Sequence, residues 1–311
     1  MRKLILLVII LSGLGASYYY YPKIVGYVPS NISDIVSSDQ LTILHLDIGQ
    51  GDSTLILGPE ENGVRVSVLM DAGDIPNGGD KDGGAIVAEV LAVYGLSTLD
   101  YFVASHYDAD HIGGLISGRP AVHGSAFTFG ANGVEGDVDD IIITHFIDRG
   151  QDDEPDTRTY EKYEAIADTM GTRISLDTQL EVDDFTIDLG DGATMTLYAA
   201  NGFVRDRASP IRFVNTENER SLCFLISYGD FDYLIGGDII GRKAGSENAK
   251  VELAIAQALV EEGIDIDVYH VNHHGANNGS STAFLELIRP EVAIISLGDG
   301  NTHGHPHAET L

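Results

Sequence analysis

Short apolar runs, each about the length of a β-strand, alternate with Gly-rich turns along most of the chain. In the first half they predict strands at 41–47, 53–58, 66–71, 100–106 and 141–146. In the second half they predict strands at 185–190, 194–200, 221–228, 231–238, 267–272 and 292–298. Apolar residues spaced three and four positions apart predict helices at 83–95, 250–262 and 282–288. Both halves of the chain therefore combine strands with helices.

No linker and no change of composition separates the two halves, so residues 41–311 are expected to form one domain. Strand blocks flanked by helices favour two sheets packed face to face beneath outer helices. The predicted fold is thus an α/β, four-layer αββα sandwich. Two stretches interrupt the pattern, a Gly-rich one at 117–140 and an acidic one at 148–156, and both are expected to be mobile surface insertions.

The first residues have the layout of an export signal. Two basic residues precede an apolar run, and small residues follow as far as Ala16. The run continues through Tyr18–Tyr21, so an uncleaved membrane anchor with aromatic residues at the interface is an equal alternative. We expect residues 1–22 to be a signal peptide or membrane anchor and residues 23–40 a linker. The domain is then extracytoplasmic, whether periplasmic, secreted or anchored by its N-terminal segment.

The charge balance is strongly acidic: 18 basic against 48 acidic residues give a net charge of −30, spread along the chain. Such a surface repels polyanions unless salt, metal ions or local arginines offset it. A salty habitat, or a substrate other than a long nucleic acid, is expected. The single cysteine, Cys223, cannot form an intrachain disulfide and lies in a predicted strand.

Candidate chemistry is concentrated after the strand at 100–106. The sequence H-Y-D-A-D-H places His106, Asp108, Asp110 and His111 within six residues. Imidazole nitrogen and carboxylate oxygen both suit zinc or manganese, and the first two side chains can address one ion while the last two address another. The motif therefore predicts a site for one or two divalent metal ions.

Further ligands are needed, since a catalytic ion usually has three protein ligands and an open position. Two other predicted strand ends offer them, Asp238 and the pair His273–His274. A carboxylate can bridge two ions roughly 3.5 to 4 Å apart, an arrangement that suits the hydrolysis of esters, amides or phosphodiesters.

Six segments in order resemble the metallo-β-lactamase superfamily, in particular the extracellular hydrolase domain of ComEC-type competence proteins. They are LHLDIGQGDSTLI (44–56), VLMDAGD (68–74), SHYDADHIGG (105–114), NERSLCFLISYGDFDYLIGGDI (218–239), VNHHG (271–275) and THGHPHAETL (302–311). The resemblance implies a metallo-β-lactamase fold and a hydrolase with a binuclear site holding Zn or Mn.

By this resemblance His106 and Asp108 would bind the first ion, Asp110 and His111 the second, and Asp238 would bridge them. One of His273 and His274, with His274 favoured, would complete the second site. Asp108 stands where many members have histidine, and Asn218 stands where they have a further histidine. An aspartate there makes the first site harder, so manganese competes with zinc.

The resemblance and the motifs also suggest roles around the ions. Asp110 and His305 would be catalytic, with His305 donating a proton to the leaving oxygen or binding the scissile group. Asn218 and Ser221 would contact the substrate. The expected positioning residues, which orient the ligands, are Asp47, Gln50, Asp52 and Asp71.

The first functional hypothesis is an exported phosphodiesterase or nuclease acting on DNA. With at most one membrane segment the chain is not expected to transport DNA. The segment RDRASPIR (205–212) could clamp an anionic substrate or only balance nearby acids, and Ala276–Asn278 lacks the basic or hydroxyl contact that would favour a nuclease. The alternatives are a hydrolase of a small or cell-wall substrate, such as a β-lactam, a lactone or a choline phosphate ester, and a non-catalytic metal-binding module.

Overall fold

The structure is a computed structural model that describes residues 6–10, 37–75, 82–117, 140–208, 210–211, 216–241 and 250–311. Within these residues the strands form two mixed sheets.

The first sheet has its strands in chain order: β1 (Leu6–Ile10), β2 (Thr42–Leu46), β3 (Thr54–Leu57), β4 (Ser67–Met70), β5 (Thr98–Val103), β6 (Ile142–Asp148) and β7 (Thr172–Ser175). Strands β2, β3 and β4 form an antiparallel meander, and β4 to β7 run parallel to one another. The carboxyl ends of β4, β5 and β6 therefore open at one edge of this sheet.

The second sheet contains β8 (Thr186–Gly190), β9 (Ala193–Ala200), β10 (Phe203–Val204), β11 (Cys223–Tyr228), β12 (Phe231–Ile235), β13 (Val268–His270) and β14 (Val292–Ile294). Its order is β10-β9-β11-β12-β13-β14, and β8 also pairs with β9. Strands β12, β13 and β14 are parallel, so their carboxyl ends share an edge as well.

Helices cover the outer face of each sheet. The helices are α1 (Gly83–Val93), α2 (Ala109–Ile116), α3 (Arg158–Met170), α4 (Gln179–Asp184), α5 (Lys250–Glu262) and α6 (Thr282–Ile288). Side chains of α1, α2 and α3 share a core with one face of the first sheet, and those of α5 and α6 share one with the second. The opposite faces of the sheets, with Met70 and Phe224 among their side chains, form the central core. The predicted αββα sandwich is confirmed.

The acidic stretch at 148–156 is not wholly the surface insertion that its composition predicted. Asp148 and Arg149 are fully buried. Asp148 ends β6, where its carboxylate accepts hydrogen bonds from the Tyr163 hydroxyl at 3.0 Å and from Arg173 Nε at 2.7 Å. Paired charges can be buried when their partners come from elsewhere in the chain, which composition does not reveal. Of the Gly-rich stretch, residues 118–139 lie outside the described residues.

At the N-terminus the structure describes Leu6–Ile10, which pair in parallel with β2. The rest of the predicted signal or anchor, and the linker as far as residue 36, lie outside the described residues. Among the helices that are described, none is long and apolar enough to span a membrane.

Candidate metal centre

The predicted ligands meet at one end of the sandwich, where loops from both sheets adjoin. The loop after β5 carries residues 105–108 and leads into α2, whose first turn holds Asp110 and His111. Asp238 follows β12, and His273–His274 follow β13. Ligands are thus supplied by the carboxyl ends of parallel strands in both sheets, where ligands commonly bind in such folds.

Close packing of α2 fixes the position of its first turn. A β-carbon on Gly114 would lie 1.9 Å from the carbonyl oxygen of Ala72, so only glycine permits this approach. The amide of Ala72 in turn donates to the carbonyl of His111 at 2.7 Å. The glycines after the H-Y-D-A-D-H sequence therefore seat the helix against the segment that follows β4.

One oxygen of the buried Asp238 carboxylate faces a first group of side chains, formed by His106, Asp108, Asn218 and His273. Asp238 Oδ2 lies 4.0 Å from His106 Nε2 and 3.7 Å from His273 Nε2. Asp108 Oδ2 is 3.4 Å from His106 Nε2. The Asn218 amide donates to Asp238 Oδ2 at 3.3 Å and lies 3.2 Å from His273 Nε2.

The other oxygen faces a second group, formed by Asp110, His111 and His274. Asp238 Oδ1 lies 3.3 Å from His111 Nε2 and 3.4 Å from His274 Nε2. Asp110 Oδ2 is 3.4 Å from His274 Nε2, and Asp110 Oδ1 is 4.0 Å from His111 Nε2. One atom each from Asp52, His111, Asp238 and His274 lie within 4.8 Å of one another.

The adjacent residues His273 and His274 face different groups. The sequence had predicted only that one of them, with His274 favoured, completes the second site. Both have left-handed backbone angles, with φ of 54° and 53°, a conformation that costs roughly 1 to 2 kcal/mol per residue. His273 Nδ1 donates to Asn278 Oδ1 at 2.8 Å, and His274 Nδ1 donates to the carbonyl of Ser296 at 3.0 Å. These bonds leave each Nε2 directed towards Asp238.

Asp71 and Ser105 orient the other two rings. Asp71 accepts from the Ser105 amide at 2.8 Å and from His111 Nδ1 at 2.9 Å. The Ser105 hydroxyl is 3.1 Å from His106 Nδ1. Contacts of this kind fix the tautomer and direction of an imidazole ligand.

The inner atoms of the cluster have no hydrogen-bond partner among the described residues. They are Nε2 of His106, His111 and His274 and Oδ1 of Asp238, all buried. Buried polar atoms without partners are costly and rare, so such a cluster requires an explanation. Imidazole nitrogens and carboxylate oxygens are the atoms that bind zinc and manganese. The donor set therefore fits a divalent-metal site.

The electrostatics of the cluster favour positive charge. Burial opposes ionisation of Asp238, but His274 and His111 hold the pKa of its carboxyl well below the usual range. Burial also opposes protonation of His111, yet Asp238 and Asp71 raise the pKa of its imidazole well above the usual value. Metal cations bound between these side chains would replace the imidazole protons, whose positive charge otherwise balances the negative carboxylates.

The loop between β2 and β3 lies against this cluster. Gln50 Nε2 donates to Asp110 Oδ2 at 3.4 Å, and Gln50 Oε1 accepts from the amide of Gly298 at 3.3 Å. Asp52 is buried, and Asp47 is half-buried in the same loop. Gln50 thus connects the metal motif with the segment that leads to His305.

Ser221, expected to contact the substrate, is buried beneath Asp238. It is 1% exposed, and its hydroxyl accepts a hydrogen bond from the Asp238 amide at 3.3 Å. Asn218 is half-buried and bonded within the first group. The structure therefore places Ser221 where it supports the carboxylate from below.

His305 lies at the mouth of the cluster. Its ring centroid is 5.8 Å from that of His273 and 6.2 Å from that of His274. Burial, followed by repulsion from His273 and His274, lowers the pKa of His305 to about 4. The ring is neutral at pH 7, which suits hydrogen bonding to the scissile group better than delivery of a stored proton.

Sequence reasoning missed an ion pair that braces the metal motif. Arg149 binds Glu217 through two hydrogen bonds, 2.8 Å from Nε to Oε1 and 2.7 Å from Nη2 to Oε2. Glu217 Oε1 also accepts from the amide of Tyr107 at 2.9 Å, and the guanidinium lies 4.5 Å from the Tyr107 ring centroid. The pair joins the loop of His106 to that of Asn218. No sequence signal distinguished Arg149 from a solvated arginine.

Glu252 on α5 was also missed. It is fully buried and accepts from Asn272 Nδ2 at 2.9 Å and from the amides of Ser280 at 2.6 Å and Ser281 at 3.0 Å. Burial raises the pKa of its carboxyl, and these hydrogen bonds oppose that shift. Glu252 thereby holds both ends of the loop that carries His273.

The segment at 205–212 offers little support for an arginine clamp. Arg205 Nη1 donates to the carbonyls of Val182 at 3.3 Å and Leu197 at 3.4 Å. Arg207 pairs with Glu261 at 2.9 Å. Arg212 lies outside the described residues. Balancing nearby acids is the role that fits Arg207.

No protein-family model matches the chain. The chain is similar to ComE operon protein 3 of Bacillus subtilis (strain 168), with 24% identity over 282 residues, covering 86% of this chain and 29% of the relative. It is also similar to Recombination protein 2 of Haemophilus influenzae, with 35% identity over 95 residues, covering 30% of this chain and 10% of the relative. The chain thus spans less than a third of the length of these two relatives.

Among solved structures, the chain is similar to Tm1679, a metal-dependent hydrolase of the beta-lactamase superfamily, with 13% identity. That alignment covers 80% of this chain and 82% of the other, with a TM-score of 0.41. The likeness to ComE operon protein 3 confirms the resemblance to ComEC-type proteins that the motifs indicated.

Proposed function

We propose that the chain is an extracytoplasmic, metal-dependent phosphodiesterase whose natural substrate is DNA. The observation that carries the proposal is the pair of donor groups on the two sides of Asp238, in which the buried Nε2 atoms of His106, His111 and His274 lack hydrogen-bond partners among the described residues. A site so rich in costly polar groups has no evident structural purpose.

In this proposal each group holds one divalent ion, zinc or manganese. The first ion would be held by His106, Asp108, His273 and Asp238, and the second by Asp110, His111, His274 and Asp238. When bound, the ions supply Lewis-acid chemistry, which polarises a phosphodiester and favours the ionisation of water.

The protein's own groups position the reactants. The Asp110 side chain is 26% exposed, and Gln50 donates to its Oδ2, so its Oδ1 is available to accept a hydrogen bond from the attacking water. The neutral ring of His305 donates a hydrogen bond to the scissile group from the mouth of the site. Asn218, half-buried beside His273, is available to contact the substrate.

Support for DNA as substrate comes from the similarity to ComE operon protein 3 and Recombination protein 2. The predicted export signal or anchor in residues 1–22 supports a location outside the cytoplasm.

The test compares the wild type with Asp238→Asn and with Asp230→Asn, an exposed control in the turn between β11 and β12. Bound metal is measured by elemental analysis, beside cleavage of bis(p-nitrophenyl) phosphate and of end-labelled single-stranded DNA. In the wild type and the control we expect nearly two equivalents of bound metal and turnover of both phosphodiesters. In Asp238→Asn we expect activity to fall by about 100-fold or more, because loss of even a contact outside the ligand shell lowers metal affinity or activity by about 10- to 100-fold. A wild type without metal, or an Asp238→Asn variant with full activity, would contradict the proposal.

A second candidate is a hydrolase of a small or cell-wall substrate, such as a β-lactam, a lactone or a choline phosphate ester. The net charge of −30 favours it, because a long polyanion is repelled. Metal binding without cleavage of either phosphodiester, together with turnover of one of these compounds by the wild type and not by Asp238→Asn, would establish it.

A further inference from the structure

The Asp52 carboxylate is buried beside the second group without a hydrogen-bond partner. The residue is 4% exposed, and neither carboxylate oxygen has a partner among the described residues. An isolated buried carboxylate is strongly unfavourable unless a cation or donor compensates it. The side chain therefore lacks a role that hydrogen bonding within the protein would explain.

The backbone holds this carboxylate against the cluster. The Asp52 amide donates to the carbonyl of Asp110 at 3.2 Å, and the Asp52 carbonyl accepts from Gly73 at 2.9 Å. At the preceding residue, Gly51, φ is +100°, and a β-carbon would lie 1.8 Å from the Asp110 carbonyl oxygen. The loop of Asp52 and the turn of Asp110 are thus fixed to each other, so the position of the Asp52 carboxylate is set by the same packing that sets the second group.

The nearest imidazoles do not account for it. Asp52 Oδ1 is 3.6 Å from His274 Nδ1 and 3.6 Å from His270 Nε2, beyond hydrogen-bond distance in both cases. His274 Nδ1 already donates to the carbonyl of Ser296. His270 has no hydrogen-bond partner at either ring nitrogen among the described residues, and its ring stacks on that of His45 at 5.0 Å.

We propose that Asp52 is a further ligand of the second ion, an inference that rests on the proposed binuclear site. A carboxylate oxygen of Asp52 lies within 4.8 Å of ligand atoms of His111, Asp238 and His274. With Asp110, the second position then has three carboxylates and two imidazoles. An oxygen-rich set of five protein ligands favours a hard ion of high coordination number, such as Mn²⁺, over tetrahedral Zn²⁺.

The test uses the full chain, stripped of metal with a chelator, in four forms: wild type, Asp52→Asn, His270→Gln and Glu60→Gln. Glu60 is exposed after β3, so its variant is matched for the loss of one negative charge. Mn²⁺ is titrated with the free ion followed by electron paramagnetic resonance, and Zn²⁺ is titrated against a chromophoric chelator. Circular dichroism checks the fold of each form.

We expect Asp52→Asn to weaken the binding of the second Mn²⁺ equivalent by about 100-fold or more, since removal of a contact outside the ligand shell already lowers metal affinity by about 10- to 100-fold. Zn²⁺ should weaken less, so the preference of the second position shifts towards zinc. Binding of the first equivalent should stay unchanged, and Glu60→Gln should match the wild type. His270→Gln should weaken binding of the second Mn²⁺ much less than Asp52→Asn does, because His270 Nε2 lies 3.6 Å from Asp52, beyond hydrogen-bond distance.

Two results would overturn the inference while leaving the proposed function intact. One is an Asp52→Asn variant that binds and hydrolyses as Glu60→Gln does. The other is a His270→Gln variant with the full loss, which would show that Asp52 acts through that ring. A wild type that takes up no second ion would overturn the inference and the binuclear function together.

Should Asp52→Asn not fold, the wild type alone decides. The second equivalent of Co²⁺ should add only the weak visible absorption of a five- or six-coordinate ion. Intense four-coordinate bands from that equivalent would overturn the inference.

Discussion

At the scale of single residues, Asp238 organises the site because its two oxygens serve different neighbours. Oδ2 faces His106 and His273, and Oδ1 faces His111 and His274. The Ser221 hydroxyl accepts from the Asp238 amide and so holds the residue from below. Because Asp238 contacts both groups of side chains, a small displacement of its carboxylate changes the contacts of both, and its replacement disturbs both groups.

Sequence reasoning predicted the ligands between His106 and His111 because so dense a group of polar side chains has few structural explanations. It predicted Asp238 and His273–His274 because they follow predicted strands. It could not assign His273 and His274 to different groups. That assignment depends on the left-handed backbone angles of both residues, which the sequence H-H-G does not reveal. It also missed Arg149, because an arginine in an acidic stretch looks solvated unless its partner, Glu217, is known to fold beside it.

The Arg149–Glu217 pair gives a prediction about stability. Arg149→Met should lower the free energy of unfolding by about 3 kcal/mol, because it leaves Glu217, whose side chain is only 13% exposed, without its counterion. The measurement is chemical denaturation in the presence of a chelator. The control is Arg207→Met, which removes the partner of the exposed Glu261 and should cost about 1 kcal/mol or less. Equal losses of unfolding free energy in the two variants would contradict the stabilising role that we assign to the Arg149–Glu217 pair.

At the scale of elements, most of the strands and the helices α1, α5 and α6 followed from apolar runs and periodicity. Strands β1, β7 and β10 and helix α2 were not predicted. Helix α3 was missed although Tyr160, Tyr163, Ile166 and Ala167 bury one face of it at helical spacing, so the sequence did carry that signal. Helix α4 was missed although Thr178 and Glu181 form a capping box. Strand β7 is short and largely half-buried, and its pattern carries no comparable signal.

Glu252 links helix α5 to the loop that carries His273 and His274, and this link gives a second prediction. Glu252→Ala removes the acceptor of three buried donors, each costing about 1 to 3 kcal/mol when left unsatisfied, so we expect unfolding to become easier by about 3 kcal/mol or more. Metal affinity should fall as well, because Asn272 precedes both histidines.

Denaturation and metal titration of Glu252→Ala should be compared with Glu286→Ala, an exposed change on α6 that should stay within about 0.5 kcal/mol. Metal affinity equal to that of Glu286→Ala would show that the loop holds its shape without the helix.

At the scale of the whole molecule, the αββα arrangement was predictable because strand blocks and helices recur in both halves without a linker. The meeting of the two sheet edges was not, since pairing order and register decide which strand ends adjoin. Composition was informative about charge alone: the excess of acids says how a substrate is attracted or repelled, and not where it binds.

The net charge of −30 makes the salt dependence of activity diagnostic. The screening length falls from about 30 Å at 0.01 M salt to about 10 Å at 0.1 M. We therefore expect kcat/KM on single-stranded DNA to rise severalfold over that range, while turnover of bis(p-nitrophenyl) phosphate changes little. A fall in kcat/KM on DNA, the usual behaviour when a protein displaces counterions from phosphates, would mean that a local basic surface outweighs the global charge.

The peptide unit between His273 and His274 has a consequence for how the centre fills. In the proposed binuclear site, adjacent residues of one strained turn face opposite sides of Asp238, so ordering the turn around one ion would present the neighbouring ring to the other. The free-energy cost of ordering the turn would then arise only once, when the first ion binds, and the second ion would bind to a turn that is already ordered. Binding at the two positions is then thermodynamically coupled, and by reciprocity whichever ion arrives first raises the affinity for its neighbour.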